Sequence, residues 1–63
     1  MTAHTTSAAM TRLTVAVACA AQALIRARRR MARTPTEANR AAYVAALDEV
    51  EAILAALLRL RDR

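Results

Sequence analysis

The chain has no glycine, no phenylalanine, no tryptophan and no lysine. It has one proline, one cysteine, one histidine and one aromatic residue, Tyr43. Each shortage excludes something. Without glycine there is no phosphate-cradling loop and no tight turn that needs a left-handed residue. With one cysteine, Cys19, no disulfide can form within the chain. With one histidine, His4, and no second ligand at helical spacing, no metal site is expected. The near absence of aromatics removes stacking platforms for single-stranded nucleic acid. No nucleophile–base pair can be assembled from what is left, so no catalytic residue, cofactor or small-molecule substrate is expected and the chain reads as a non-enzyme.

Sixty-three residues allow one domain at most, and 57% of them are hydrophobic, so the chain should fold. Yet 18 of those hydrophobic residues are alanine, and Leu, Ile, Val and Met together number 16. Domains of this size usually need disulfides, a metal or a partner. With the first two excluded, self-association or docking on a larger protein remains.

The one proline divides the chain. Thr34-Pro35-Thr36-Glu37 reads as a helix start, with Thr34 as N-cap, Pro35 at the first helical position and Glu37 closing a capping box. Ser7 or Thr6 can cap an earlier helix after a frayed, Thr-rich beginning. The expected organisation is one helix over about 7–33, a turn at about 34–35 and a second helix over about 35–61. Each arm is then about 26 residues, or roughly 39 Å at 1.5 Å per residue. Two equal arms joined by a tight turn make an antiparallel hairpin. The expected fold class is all-α, with two such hairpins dimerising into a four-helix bundle.

Both arms carry coiled-coil spacing. In the first, Met10, Leu13, Val17, Ala20, Leu24, Ala27 and Met31 step 3, 4, 3, 4, 3, 4. In the second, Tyr43, Leu47, Val50, Leu54 and Leu57 step 4, 3, 4, 3, with Ala46, Ile53 and Leu60 widening the stripe on one flank and Leu58 on the other. A further line of Ala38, Ala42, Ala45, Ala52 and Ala56 is small enough for close helix approach. The first half of the first helix is apolar nearly all round, which calls for neighbours on more than one side. Cys19 lies there and reads as a buried thiol. Tyr43 reads as closing the apolar layer near the turn, its hydroxyl at the water edge.

Charge is unevenly placed. Residues 1–35 carry six arginines and no acid, a charge of +6. Residues 36–63 carry four arginines and five acids, a charge of −1, which gives the net +5. Arginine without lysine, in an alanine-rich chain, points to a GC-rich and hence bacterial coding sequence. Arg26, Arg29, Arg30 and Arg33 fall within about 100° of one helical face and can engage phosphates or carboxylates. Asp48, Glu49 and Glu51 read as a solubilising stripe.

Residues 13–25 are free of charge, but 13 residues are too few for a membrane span, which needs about 20. The stretch also has the length of a signal-peptide core, and Ala16-Val17-Ala18-Cys19 resembles a lipoprotein cleavage site. The heptad row runs through that point without a break, so a cytoplasmic protein is expected, neither exported nor membrane-spanning. The sequence therefore predicts a small interaction or assembly module, homo-oligomeric or docked on a larger protein. Its alternative is a basic hairpin that binds nucleic acid through the Arg face.

Overall fold

The computed structural model describes residues 2–62, with side chains from Ser7 to Asp62. It is an all-α hairpin: α1 spans Thr2–Arg33, α2 spans Glu37–Arg61, and the two pack against each other. No strand occurs among the described residues. The hairpin measures 49 × 15 × 12 Å, so its length is that of α1 itself: 32 residues make a rod of roughly 48 Å. The helix starts at Thr2, ahead of the expected start near residue 7, and covers the segment expected to fray. The side chain of His4 lies outside the described residues.

The turn differs from the expected one in a way that proline explains. A residue before proline is disfavoured in the helical region, so α1 stops at Arg33. Thr34 N–H still donates to Arg30 O at 2.9 Å, the final i to i−4 bond of the helix. Thr36 N–H then donates to Thr34 O at 2.8 Å, a three-residue turn around Pro35. No described residue has a positive φ, so this is the inverse form, whose central φ matches the proline ring. The N-cap of α2 is therefore Thr36 rather than Thr34. It has an extended backbone (φ −90°, ψ 163°), and its hydroxyl accepts from Asn39 N–H at 3.1 Å. Pro35 precedes the cap instead of opening the helix, and Glu37 becomes the first helical residue. There its carboxylate favours the positive end of the helix dipole. Asn39 Nδ2 reaches back to Thr34 O at 2.8 Å and ties the new helix to the turn.

This assignment has a direct test. Thr36→Ala removes the cap and is expected to cost about 1 kcal/mol of stability in chemical denaturation. Thr34→Ala, which keeps the carbonyl that accepts both bonds, is expected to cost a few tenths. The reverse ranking would restore Thr34 as the cap.

The α1–α2 contact is thin. Among the described residues only Ala20 and Ala27 are buried, at 6% and 7% exposure, and no larger side chain is fully enclosed. Alanines at the two points of deepest burial let the helices come close, because no branched side chain holds them apart. Around them Met10, Leu13, Val17, Leu24 and Met31 are partly buried, and on α2 so are Tyr43, Ala46, Leu47, Val50, Ile53, Leu57 and Leu60. Thr11 and Thr14 sit on the outside of α1. Their hydroxyls donate one turn back, to Ser7 O at 3.0 Å and Met10 O at 2.8 Å, which satisfies them without a partner.

Candidate functional site

No enclosed cavity organises this molecule; what it offers is surface. The surface depression lined by Glu37, Arg40, Ala41, Val44, Ala45 and Asp48 lies along one face of a single helix, open to solvent. Among the described residues no group of His, Cys, Asp and Glu could hold a metal ion.

The candidate seam of α1 points as one row toward α2: Met10, Leu13, Val17, Ala20, Leu24, Ala27 and Met31 are all partly or fully buried. The seam of α2 does not stay together. The row of residues turned inward is Tyr43, Ala46, Val50, Ile53, Leu57 and Leu60, stepping 3, 4, 3, 4, 3. Ala46, Ile53 and Leu60, read from the sequence as one flank, are therefore in the centre. Leu47 lies at its edge, partly buried, and Leu54 is 45% exposed. The reason is that α2 carries two heptad rows, offset by one residue, and a single partner helix can cover only one. The second row is Val44, Leu47, Glu51, Leu54 and Leu58, and among its members Val44 and Leu58 are also about half exposed. Periodicity marks both rows and does not say which faces inward.

On α1, Ile25 and Val15 are exposed as well, at 48% and 59%. Cys19, expected to be buried, is an exposed free thiol: it lies away from the contact row, and one neighbouring helix cannot reach it.

Arg26, Arg29, Arg30 and Arg33 are all exposed, in the last two turns of α1 beside the turn. Among the described residues the one ion pair is Arg61 Nε to Asp62 Oδ1, at 3.6 Å between neighbours about 70% exposed, so it contributes little. The arginine face therefore has no acidic partner within the hairpin. Asp48, Glu49 and Glu51 sit midway along α2, about one to two turns beyond the stretch of that helix that lies beside the cluster. Near the turn, six arginines (Arg26, Arg28, Arg29, Arg30, Arg33 and Arg40) face one acid, Glu37, which leaves a local charge of +5. Each of these six guanidinium-bearing side chains is exposed.

The continuity of α1 also bears on membranes. The 13-residue charge-free run is too short to span, but the uninterrupted segment Ser7–Arg33, 27 residues, is long and apolar enough to cross a membrane by length and composition. The difference arises because a window that long tolerates an arginine near its ends, where the side chain can reach the interface. Its inward row is covered by α2 only in part, and Val15 and Ile25 stay outside that contact. Comparison with protein-family models, curated proteins and solved structures finds no match for this chain.

Proposed function

We propose that this protein is a non-catalytic helical interaction module that works by self-association, as a dimeric four-helix bundle in the cytoplasm, and that offers its assembled surface to a larger protein. The observation that supports this is what the hairpin leaves uncovered. Two alanines are its whole buried core, while Val15, Ile25, Val44, Leu54 and Leu58 stand 45–59% exposed. A 63-residue chain with no disulfide and no metal cluster among its described residues has little else to hold it. Burying Ile25, Val44, Leu54 and Leu58 against a second hairpin adds apolar area at about 25 cal/mol per Å2. The unbroken row from Met10 to Met31 supports a role for α1 within the folded protein, rather than as a leader removed after export.

Sedimentation over a range of concentrations tests the reading. A dimer, recovered from the soluble fraction and losing helicity on dilution, is the expected result. A stable helical monomer would overturn self-association, and recovery only with membranes would assign the apolar side of α1 to lipid instead.

A second reading has its own observation. Four exposed arginines in two helical turns, with no carboxylate against them, form a surface able to engage phosphates. In that reading the same hairpin binds nucleic acid through backbone charge, without base recognition, since no aromatic side chain accompanies the cluster.

A further inference from the structure

Once α1 and α2 have paired, the hairpin keeps two broad faces, and they differ. In an antiparallel pair of right-handed helices, residues one step beyond each inward row fall on a common side. On that side α1 brings Ala18, Ala21 and Ile25, with Thr14 and Arg28 to either side of them, and α2 brings Val44, Leu47, Leu54 and Leu58, with Glu51 among them. Ile25, Val44, Leu54 and Leu58 are the most exposed of these large side chains, at 48%, 49%, 45% and 50%. The opposite face carries Cys19, Ala45, Glu49, Ala52 and Arg59, all exposed, and no large apolar side chain that is more than partly exposed. The face with the leucines thus carries the larger exposed apolar side chains of the two.

We propose that a second copy of this chain docks on the Ile25–Leu54–Leu58 face, with the two hairpins head to tail so that their turns lie at opposite ends. This rests on the self-association reading and specifies its surface and its sense.

Area and charge support that occupant. A compact protein of 6.8 kDa exposes about 4,000 Å2 by the usual mass scaling, whereas this hairpin exposes 4972 Å2. The excess of roughly 1,000 Å2 is close to the about 800 Å2 that each partner covers in a stable standard interface. The face is also of that order, 49 Å long and 15 Å wide. Charge favours this sense, because the turn end is the more strongly positive: the other end carries Arg12, Arg59 and Arg61 against Asp62 among the described residues. With turns at the same end, two clusters of six arginines would lie side by side. With turns at opposite ends they are separated by nearly the length of the hairpin, 49 Å, far beyond the Debye length of about 8 Å at physiological ionic strength. Glu51, the one acid in the outer row of α2, is exposed and lies on this face between Leu47 and Leu54.

Two measurements on the full chain test the surface and the sense separately. Leu54→Asp with Ile25→Asp is expected to weaken dimerisation by at least about a hundredfold in sedimentation, because it buries unpaired carboxylates. Ala45→Arg on the opposite face is expected to leave it within about twofold, since that site stays in water. A dimer weakened by Ala45→Arg and not by the aspartates would overturn the choice of face while leaving self-association intact. Spin labels at Thr34→Cys, in a Cys19→Ser background, read the sense in the folded dimer. The expected separation approaches the 49 Å length of the hairpin, and one near its 15 Å width would overturn the head-to-tail arrangement. A wild-type monomer at every concentration would overturn this proposal and self-association together.

Discussion

Leu24→Asp is expected to unfold the hairpin. Leu24 belongs to the row of α1 that faces α2, between the two buried alanines Ala20 and Ala27. The substitution removes a partly buried leucine, at a cost of about 2 kcal/mol or more, and places a carboxylate with no cation where the helices approach most closely. A single core of this size supplies at most about 3–5 kcal/mol, so there is little left to absorb the loss. Far-UV circular dichroism should show most of the helical signal gone at 25 °C. Val15→Asp is the matched control, since Val15 is 59% exposed on the outside of the same helix and its neighbours are solvent. Full helicity and an unchanged Tm in Leu24→Asp would mean that α1 does not use this row against α2. The comparison with Leu54→Asp is informative in its own right. Leu54 lies outside the α1–α2 contact, so any helix lost there is lost through assembly and should depend on protein concentration.

The second large effect concerns the basic end. If the arginine face binds nucleic acid, affinity for a nonspecific duplex should fall by about two orders of magnitude between 50 and 200 mM salt. That is the expectation for about four phosphates neutralised and their counterions released. Replacing Arg26, Arg29, Arg30 and Arg33 by Gln should abolish most of this binding and flatten the salt dependence. The fold should survive, because all four side chains are exposed and none pairs with an acid. The helix would lose two of its favourable dipole contacts, Arg30 and Arg33 in its last turn, each worth a few tenths of a kcal/mol at such a site. No binding at 50 mM removes the nucleic-acid reading. Binding that the quadruple variant retains clears this face and moves attention to the rest of the positive surface.

The turn shows how local signals can fix an element yet misplace its cap. Thr34-Pro35-Thr36-Glu37 holds two threonines, each three or fewer residues from a carboxylate. Sequence spacing favours the first, since Glu37 stands three residues after it. The structure uses the second, because the residue ahead of proline avoids helical geometry and the carbonyl of Thr34 is needed to close the turn. The division of the chain at this point was legible all the same, since nothing else between Thr2 and Arg61 breaks a helix.

Cys19 and Leu54 show a different limit. Apolar surroundings make Cys19 read as buried and heptad spacing places Leu54 in the seam, and both are exposed in the hairpin. An apolar neighbourhood says that a residue could be covered. Whether it is depends on how many helices are present, and a hairpin supplies one neighbour per helix.

The sequence by itself determined two helices, their single division at proline, the inward row of α1 and the basic end of the molecule. These depend on local or periodic properties: the backbone chemistry of proline, a repeat of 3, 4, 3, 4 along one arm, and arginines placed within two turns. Tertiary structure alone decided which of the two heptad rows of α2 turns inward. The rows Tyr43–Ala46–Val50–Ile53–Leu57–Leu60 and Val44–Leu47–Glu51–Leu54–Leu58 share one period, and Glu51 alone interrupts the second, so periodicity marks both. The choice is made by contact with α1, where the alanines at 20 and 27 set how close the second helix can come. Covering the first row leaves Leu54 and Leu58 outside together with Ile25, and that remainder gives the hairpin one apolar face to present.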